Sequence, residues 1–170
     1  MEVKILEVSS KELKRALIKS GNKNKLPGIN ENWFFNYKKH ASAAKLKAFI
    51  LVREDTPAVI EGCLIYSVHE TYGPFMNYLE VAPHNKGLTG KYKYVACCLI
   101  AFACGLAFEL EGSDKGILTF QAYGKNATSQ KKLETLYQMR YGAKMNPWGY
   151  MEIHPDESKR LNALYLNREA

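Results

Sequence analysis

The residues with the clearest chemical potential lie in two adjoining runs. The first is Tyr78-Leu79-Glu80-Val81-Ala82-Pro83-His84-Asn85-Lys86-Gly87, and the second is Lys91-Tyr92-Lys93-Tyr94-Val95-Ala96-Cys97-Cys98-Leu99-Ile100. The first reads as a strand that leaves into a turn at Pro83, and the second as the entry to a helix. A strand, a glycine-bearing turn and a helix in that order present unpaired backbone N–H groups at the helix start. Those groups and the helix dipole suit a pyrophosphate. Gly87 and the small Ala96 would let phosphates approach the backbone closely, and lysines stand at the rim. Glu80 is the one acidic residue on its strand.

The elements that must hold this stretch follow from the rest of the chain. Its 170 residues suit one domain, spanning 1–170, with a full core. A hydrophobic content of 46% and a charged content of 24% are those of a globular protein. No apolar run approaches the roughly 20 residues of a membrane span. The N-terminus Met1-Glu2-Val3-Lys4 enters a strand-like alternation without a cleavable apolar segment, so a cytoplasmic location is expected. Cys63, Cys97, Cys98 and Cys104 form no CxxC or Cys/His pattern, so they read as buried free thiols and no metal site is expected. The net charge of +7 points to anionic partners. Its lysines read as scattered, with short clusters at Lys11–Lys25 and Lys86–Lys93 and no nucleic-acid-binding signature.

Val3–Val8 reads as a first strand, followed by a helix capped at Ser9 or Ser10 and running through Leu17. A second helix is expected over Asn32–Lys45, with Trp33, Phe34 and Tyr37 as an aromatic stripe. Strands follow at Lys47–Arg53, Ala58–Val68 and Phe75–Val81. Lys91–Leu110 is then expected as a long helix with Val95, Leu99, Phe102 and Leu106 at core spacing. Ile117–Ala122 gives another strand, and Thr128–Tyr141 a helix capped by Asn126 or Thr128 and ended by Gly142. Short strands near Ala143–Asn146 and Tyr150–His154 precede a last helix opened by Pro155. This order indicates a mixed α/β domain.

On these residues the chain resembles the GNAT N-acetyltransferase superfamily over roughly Ala48 to Gly142. Leu79-Glu80-Val81-Ala82-Pro83 and Asn85-Lys86-Gly87 match the strand end of its "E-V-x-P-x-x-x-G" type segment. Lys91–Ala96 falls where a Q/R-x-x-G-x-G/A loop opens the long helix. Ala96 keeps the small residue, Lys91 replaces the Gln or Arg, and Tyr94 replaces the first Gly. The Val95–Leu99–Ile100 spacing resembles the family's "V-G-x-x-L-I" helix start. Downstream, Asn126, Tyr137 and Tyr141-Gly142-Ala143 stand where the family has an Asn, a Tyr and a Gly-aromatic turn.

The resemblance implies an acyl-CoA N-acyltransferase fold, with a central mixed sheet flanked by helices. It implies direct acyl transfer from acetyl-CoA, or another short acyl-CoA, to an amine in a ternary complex. Parted central strands would admit the pantetheine arm, with backbone groups of Val81 and Val95 as partners. Cofactor contacts would fall on Val81, Ala82, Asn85, Lys86 and Gly87 at the strand end. Lys91, Tyr94, Val95 and Ala96 at the helix start, with Asn126 downstream, would complete them. Glu80 would deprotonate the amine, and Tyr137 would protonate the leaving thiolate, as the equivalent family tyrosine does.

Each assignment has a plainer rival. Glu80 can be a salt-bridged strand residue, Tyr137 a core side chain, and Asn85–Gly87 an ordinary surface turn. His84 follows a proline and reads as an exposed histidine. The ring stripe at Trp33, Phe34 and Tyr37, and Tyr66, Tyr72 and Tyr78, can border an acceptor groove or pack the core. Two other functions stand beside acyl transfer. One is a GNAT-like module that binds CoA or regulates without turnover; the other is a basic nucleic-acid-binding domain. Nucleic acid is not the expected partner, no membrane is, and a homodimer is among the assemblies the sequence allows.

Overall fold

The computed structural model describes residues 1–168. Strands β1 (Glu2–Glu7) and β2 (Leu13–Ser20) form an antiparallel hairpin. A cap segment with two 3-10 turns, Lys23–Lys25 and Ile29–Glu31, leads to a single helical turn, α1 (Tyr37–His40). β3 (Lys47–Arg53), β4 (Ile60–His69) and β5 (Gly73–Val81) follow as an antiparallel meander. A loop then carries the short β6 (Tyr92–Lys93) into α2 (Val95–Phe108). β7 (Leu118–Phe120), α3 (Ala127–Tyr141), β8 (Lys144–Met145), β9 (Met151–Ile153) and α4 (Pro155–Tyr165) complete the chain.

The strands form one sheet in the order β6-β1-β2-β3-β4-β5-β7-β9-β8. Among the described residues β5 and β7 are the one parallel pair. Strand alternation sends successive side chains to opposite faces, and each face has its own core. On one face Ile5, Ile18, Leu64 and Met76 pack with α2, which is apolar nearly all round, and with Leu161 of α4. On the other face the cap segment covers the sheet through Leu26, Trp33, Tyr37 and Ala41 against Cys63 and Ile65. All four cysteines are buried and unbridged.

Three expected elements differ. The helix expected to run from Ser9 or Ser10 through Leu17 is instead the β1–β2 turn and β2. Ser10 donates to the Glu7 carboxylate at 2.8 Å and accepts from the Glu12 N–H at 3.3 Å, so its capping capacity closes a tight turn with Lys11 at φ +58°. The Asn32–Lys45 helix shrinks to α1, because the N–H groups of Phe34 and Phe35 are bound to Glu80 rather than to a helical turn. The long helix begins at Val95, not Lys91, since Tyr92 and Lys93 pair with Glu7 and Leu6.

Candidate active site

β5 and β7 meet only at Phe75–Thr119 and Met76–Phe120. Beyond Met76, β5 stays bonded to β4 as far as Val81, but its other edge has lost its partner. The gap opens into a cavity of about 720 Å³. Leu79 of β5 and Leu133 and Tyr137 of α3 line it, and all three pack on the α2 side of the sheet. Trp33 and Phe35, from the cap on the opposite face, line it too. The cavity is therefore lined from both faces of the sheet, with Glu80 and Tyr137 in its wall.

The α3 wall follows from helical spacing: Ser129, Leu133 and Tyr137 lie four residues apart and share one face. The helix is fixed at its start by Asn126, whose side chain accepts the Ser129 N–H at 2.9 Å. Gly124 is required just before it, because a Cβ there would meet the Gln130 backbone nitrogen at 2.2 Å. Tyr137 packs its ring against Phe120 at 4.7 Å. None of the hydrogen bonds found among the described residues uses its hydroxyl, and burial pushes its pKa up to about 12. The phenol is thus protonated at neutral pH and free to donate.

Glu80 is 8% exposed and strongly held. Its Oε1 accepts the Phe34 N–H at 2.7 Å and pairs with Lys86, while Oε2 accepts the Phe35 N–H at 3.1 Å. Three donors thus converge on one carboxylate. Glu80 therefore ties the cap segment to the sheet and stands in the cavity wall. Lys125 stands at the cavity rim with its ammonium 5.8 Å from the Phe34 ring centre. Phe35 packs on Tyr78 and Tyr123, and His40 stacks on Tyr78 at 4.1 Å.

The turn between β5 and α2 is folded back on itself. Asn85 is buried, and its Nδ2 donates to the Glu61 carboxylate at 2.8 Å while its Oδ1 accepts the Tyr92 N–H at 3.0 Å. Glu61, 1% exposed, also bonds His84 at 2.6 Å. His84 is exposed, as the sequence indicates, and is held to Glu61 by this bond. The Lys91 N–H is taken by the His84 carbonyl. Gly90 lies so close to Asn85 that a Cβ would meet its carbonyl oxygen at 2.6 Å. Tyr94 caps α2 at φ +72°, a left-handed conformation that favours glycine, the residue the GNAT resemblance implies here. The first α2 N–H with a helical acceptor is that of Cys98, on the Tyr94 carbonyl, which leaves those of Val95, Ala96 and Cys97 at the open helix end.

Of the residues singled out in the sequence, Glu80, Lys86 and Tyr137 come together at the cavity. Val81, Ala82, Asn85, Gly87, Lys91, Tyr94, Val95 and Ala96 do not line it. Asn126 lies between two lining residues, Lys125 and Ser129, with its side chain used as a cap. Of the aromatic candidates, Trp33 and Phe34 line the cavity, Tyr37 is buried behind them, and Tyr72 packs against Tyr150. Phe35, Tyr123, Lys125, Ser129 and Leu133 also line it and were not singled out. Ser129 and Leu133 were legible from their spacing to Tyr137; Tyr123 and Lys125 carry no pattern.

No protein-family model matches the sequence, and no curated protein sequence matches it. Solved structures do. AtaTR bound with AcCoA aligns at a TM-score of 0.57 with 14% identity, covering 86% of this chain and 97% of that one. A point mutant of the spermidine N-acetyltransferase SpeG of Vibrio cholerae aligns at 0.55 with 15% identity, covering 84% and 95%. The KacTA protein of a KacTA–DNA complex aligns at 0.57 with 13% identity, covering 87% and 98%. The chain has the GNAT acetyltransferase fold, a mixed sheet flanked by helices.

Proposed function

We propose that the protein is an acyl-CoA-dependent N-acyltransferase that binds its two reactants from opposite sides of the β5–β7 gap. The single observation that carries this reading is the cavity lined from both faces of the sheet, with the protonated Tyr137 hydroxyl inside it. The unpaired β5 edge over residues 77–81 offers backbone donors and acceptors to an extended amide-bearing arm. The amides of Val95, Ala96 and Cys97 offer an anion site at the α2 start. These groups fit acetyl-CoA or another short acyl-CoA, which supplies an acyl group already activated as a thioester.

The residues of the chain then do three things. Leu79, Leu133 and the β5 edge hold the donor arm in register, and the cap rings hold the acceptor against it, which supplies rate through positioning. Glu80 keeps the cap wall in place through its bonds to Phe34 and Phe35. The Tyr137 Oη holds the proton that a leaving thiolate takes up. The amine nitrogen gains a bond to the acyl carbon, the carbon–sulfur bond breaks, the surplus amine proton passes to solvent, and solvent returns a proton to the Tyr137 phenolate.

A second reading is favoured by the self-bonded turn and by Tyr94 at the helix start. In that reading the chain binds CoA without turnover. The two separate by following free thiol release from acetyl-CoA across a panel of primary amines. Amine-dependent release supports the enzyme; binding without release from any amine supports the silent module.

A further inference from the structure

The charge of this chain is not spread evenly, although its lysines read as scattered along the sequence. Residues 1–47 carry eleven Lys and Arg against four Asp and Glu, whereas residues 48–170 carry thirteen of each. The whole formal excess of +7 therefore lies in the first 47 residues. Within them, residues 19–39, the end of β2 and the cap segment, hold five lysines and one acid, Glu31. The fold gathers these lysines. Lys19 sits opposite Ile50, on the cap face of the sheet. The Lys23–Lys25 turn packs against α1, which carries Lys38 and Lys39. All five are exposed. Lys38 pairs with Glu31 at 3.3 Å, and no ion pair among the described residues engages Lys19, Lys23, Lys25 or Lys39.

The same cap forms the acceptor wall of the cavity. Phe34 is 43% exposed there, with Lys125 over its ring. Unpaired cations on the same segment as an exposed ring are what a single-stranded nucleic acid uses: the phosphates meet the cations and a base stacks on the ring. An acidic polypeptide would use the lysines but not the ring. We propose that the cap segment is a docking surface for single-stranded nucleic acid, which brings the acceptor group to the cavity. The delivery step rests on the acyl-transfer reading; the docking itself does not.

The test is fluorescence anisotropy with a labelled oligo(U) RNA of about 20 nucleotides. Binding is expected at low salt. It should weaken roughly fifty-fold between about 50 and about 200 mM salt, the slope of some four phosphate contacts on a single strand. The Lys23→Glu/Lys25→Glu/Lys39→Glu variant should bind at least tenfold more weakly at an unchanged melting temperature. Phe34→Ala should lose about fivefold or more through stacking alone. Absence of RNA binding at low salt, or equal binding by the charge-reversed variant, overturns the proposal. So does a poly-glutamate peptide that binds as tightly as the RNA. The thermal shift with acetyl-CoA, measured on the same samples, reports the acyl-transfer reading separately.

Discussion

Burial keeps the Tyr137 phenol protonated, up to a pKa of about 12, where the unfolded chain's tyrosine ionises near 10. The stability this group contributes is therefore full below about pH 10 and lost as pH rises through about 12. The acid role proposed for it should follow the same window: kcat should show no fall from tyrosine ionisation below about pH 10. Tyr137→Phe should lower kcat on the order of a hundredfold and leave the acetyl-CoA melting shift intact; unchanged turnover would remove the residue from the chemistry. Glu80→Gln separates two roles in a different way. An amide at that position turns its N–H₂ toward a backbone N–H and leaves a donor unpaired, which costs about 1–3 kcal/mol. A positioning Glu80 predicts a lower melting temperature and a raised KM for the amine. A base predicts a collapsed kcat in addition, since the lost backbone bond lowers the melting temperature in either case.

At the scale of elements, the β3–β4–β5 meander, α2, α3 and α4 were legible because period-2 and helical patterns, caps and glycines all agreed there. Residues 10–45 were not legible in the same way. Ser10 and Glu12 carry a helix-start signal that a hairpin also uses, and Phe34 and Phe35 lose their helical partners to a carboxylate 45 residues or more away. No local pattern encodes a contact of that range. The candidate site was half legible for a related reason. Glu80, Lys86 and Tyr137 sit in motifs, but the cavity wall is made by cap and loop residues that only the fold assembles. The turn at Asn85–Ala96 yields a prediction of its own. Tyr94 in the left-handed region carries a strain of about 1 kcal/mol per residue, against which its ring gains a contact with Arg168 at 4.2 Å. Tyr94→Gly should therefore shift stability by no more than about 1 kcal/mol, whereas the β-branched Tyr94→Val should destabilise clearly more. Equal melting temperatures for the two variants would contradict the left-handed cap.

The whole molecule adds two constraints. All four thiols are buried, and burial pushes Cys98 and Cys104 up to about 12. Native protein should therefore react with a thiol reagent only after unfolding, when all four sites should appear; fast native labelling would contradict the core packing. The fold is shared with acetyltransferases at about 14% identity, and no described helix is long and apolar enough to cross a membrane. The β5–β7 gap and the α2 start are the proposed binding place of an acyl-CoA. Thermal unfolding with and without millimolar acetyl-CoA tests it most directly, because a ligand of the native state must stabilise it. The melting temperature should rise on the order of 5 °C at about a hundredfold excess over Kd. An unchanged melting temperature at millimolar acetyl-CoA would contradict it.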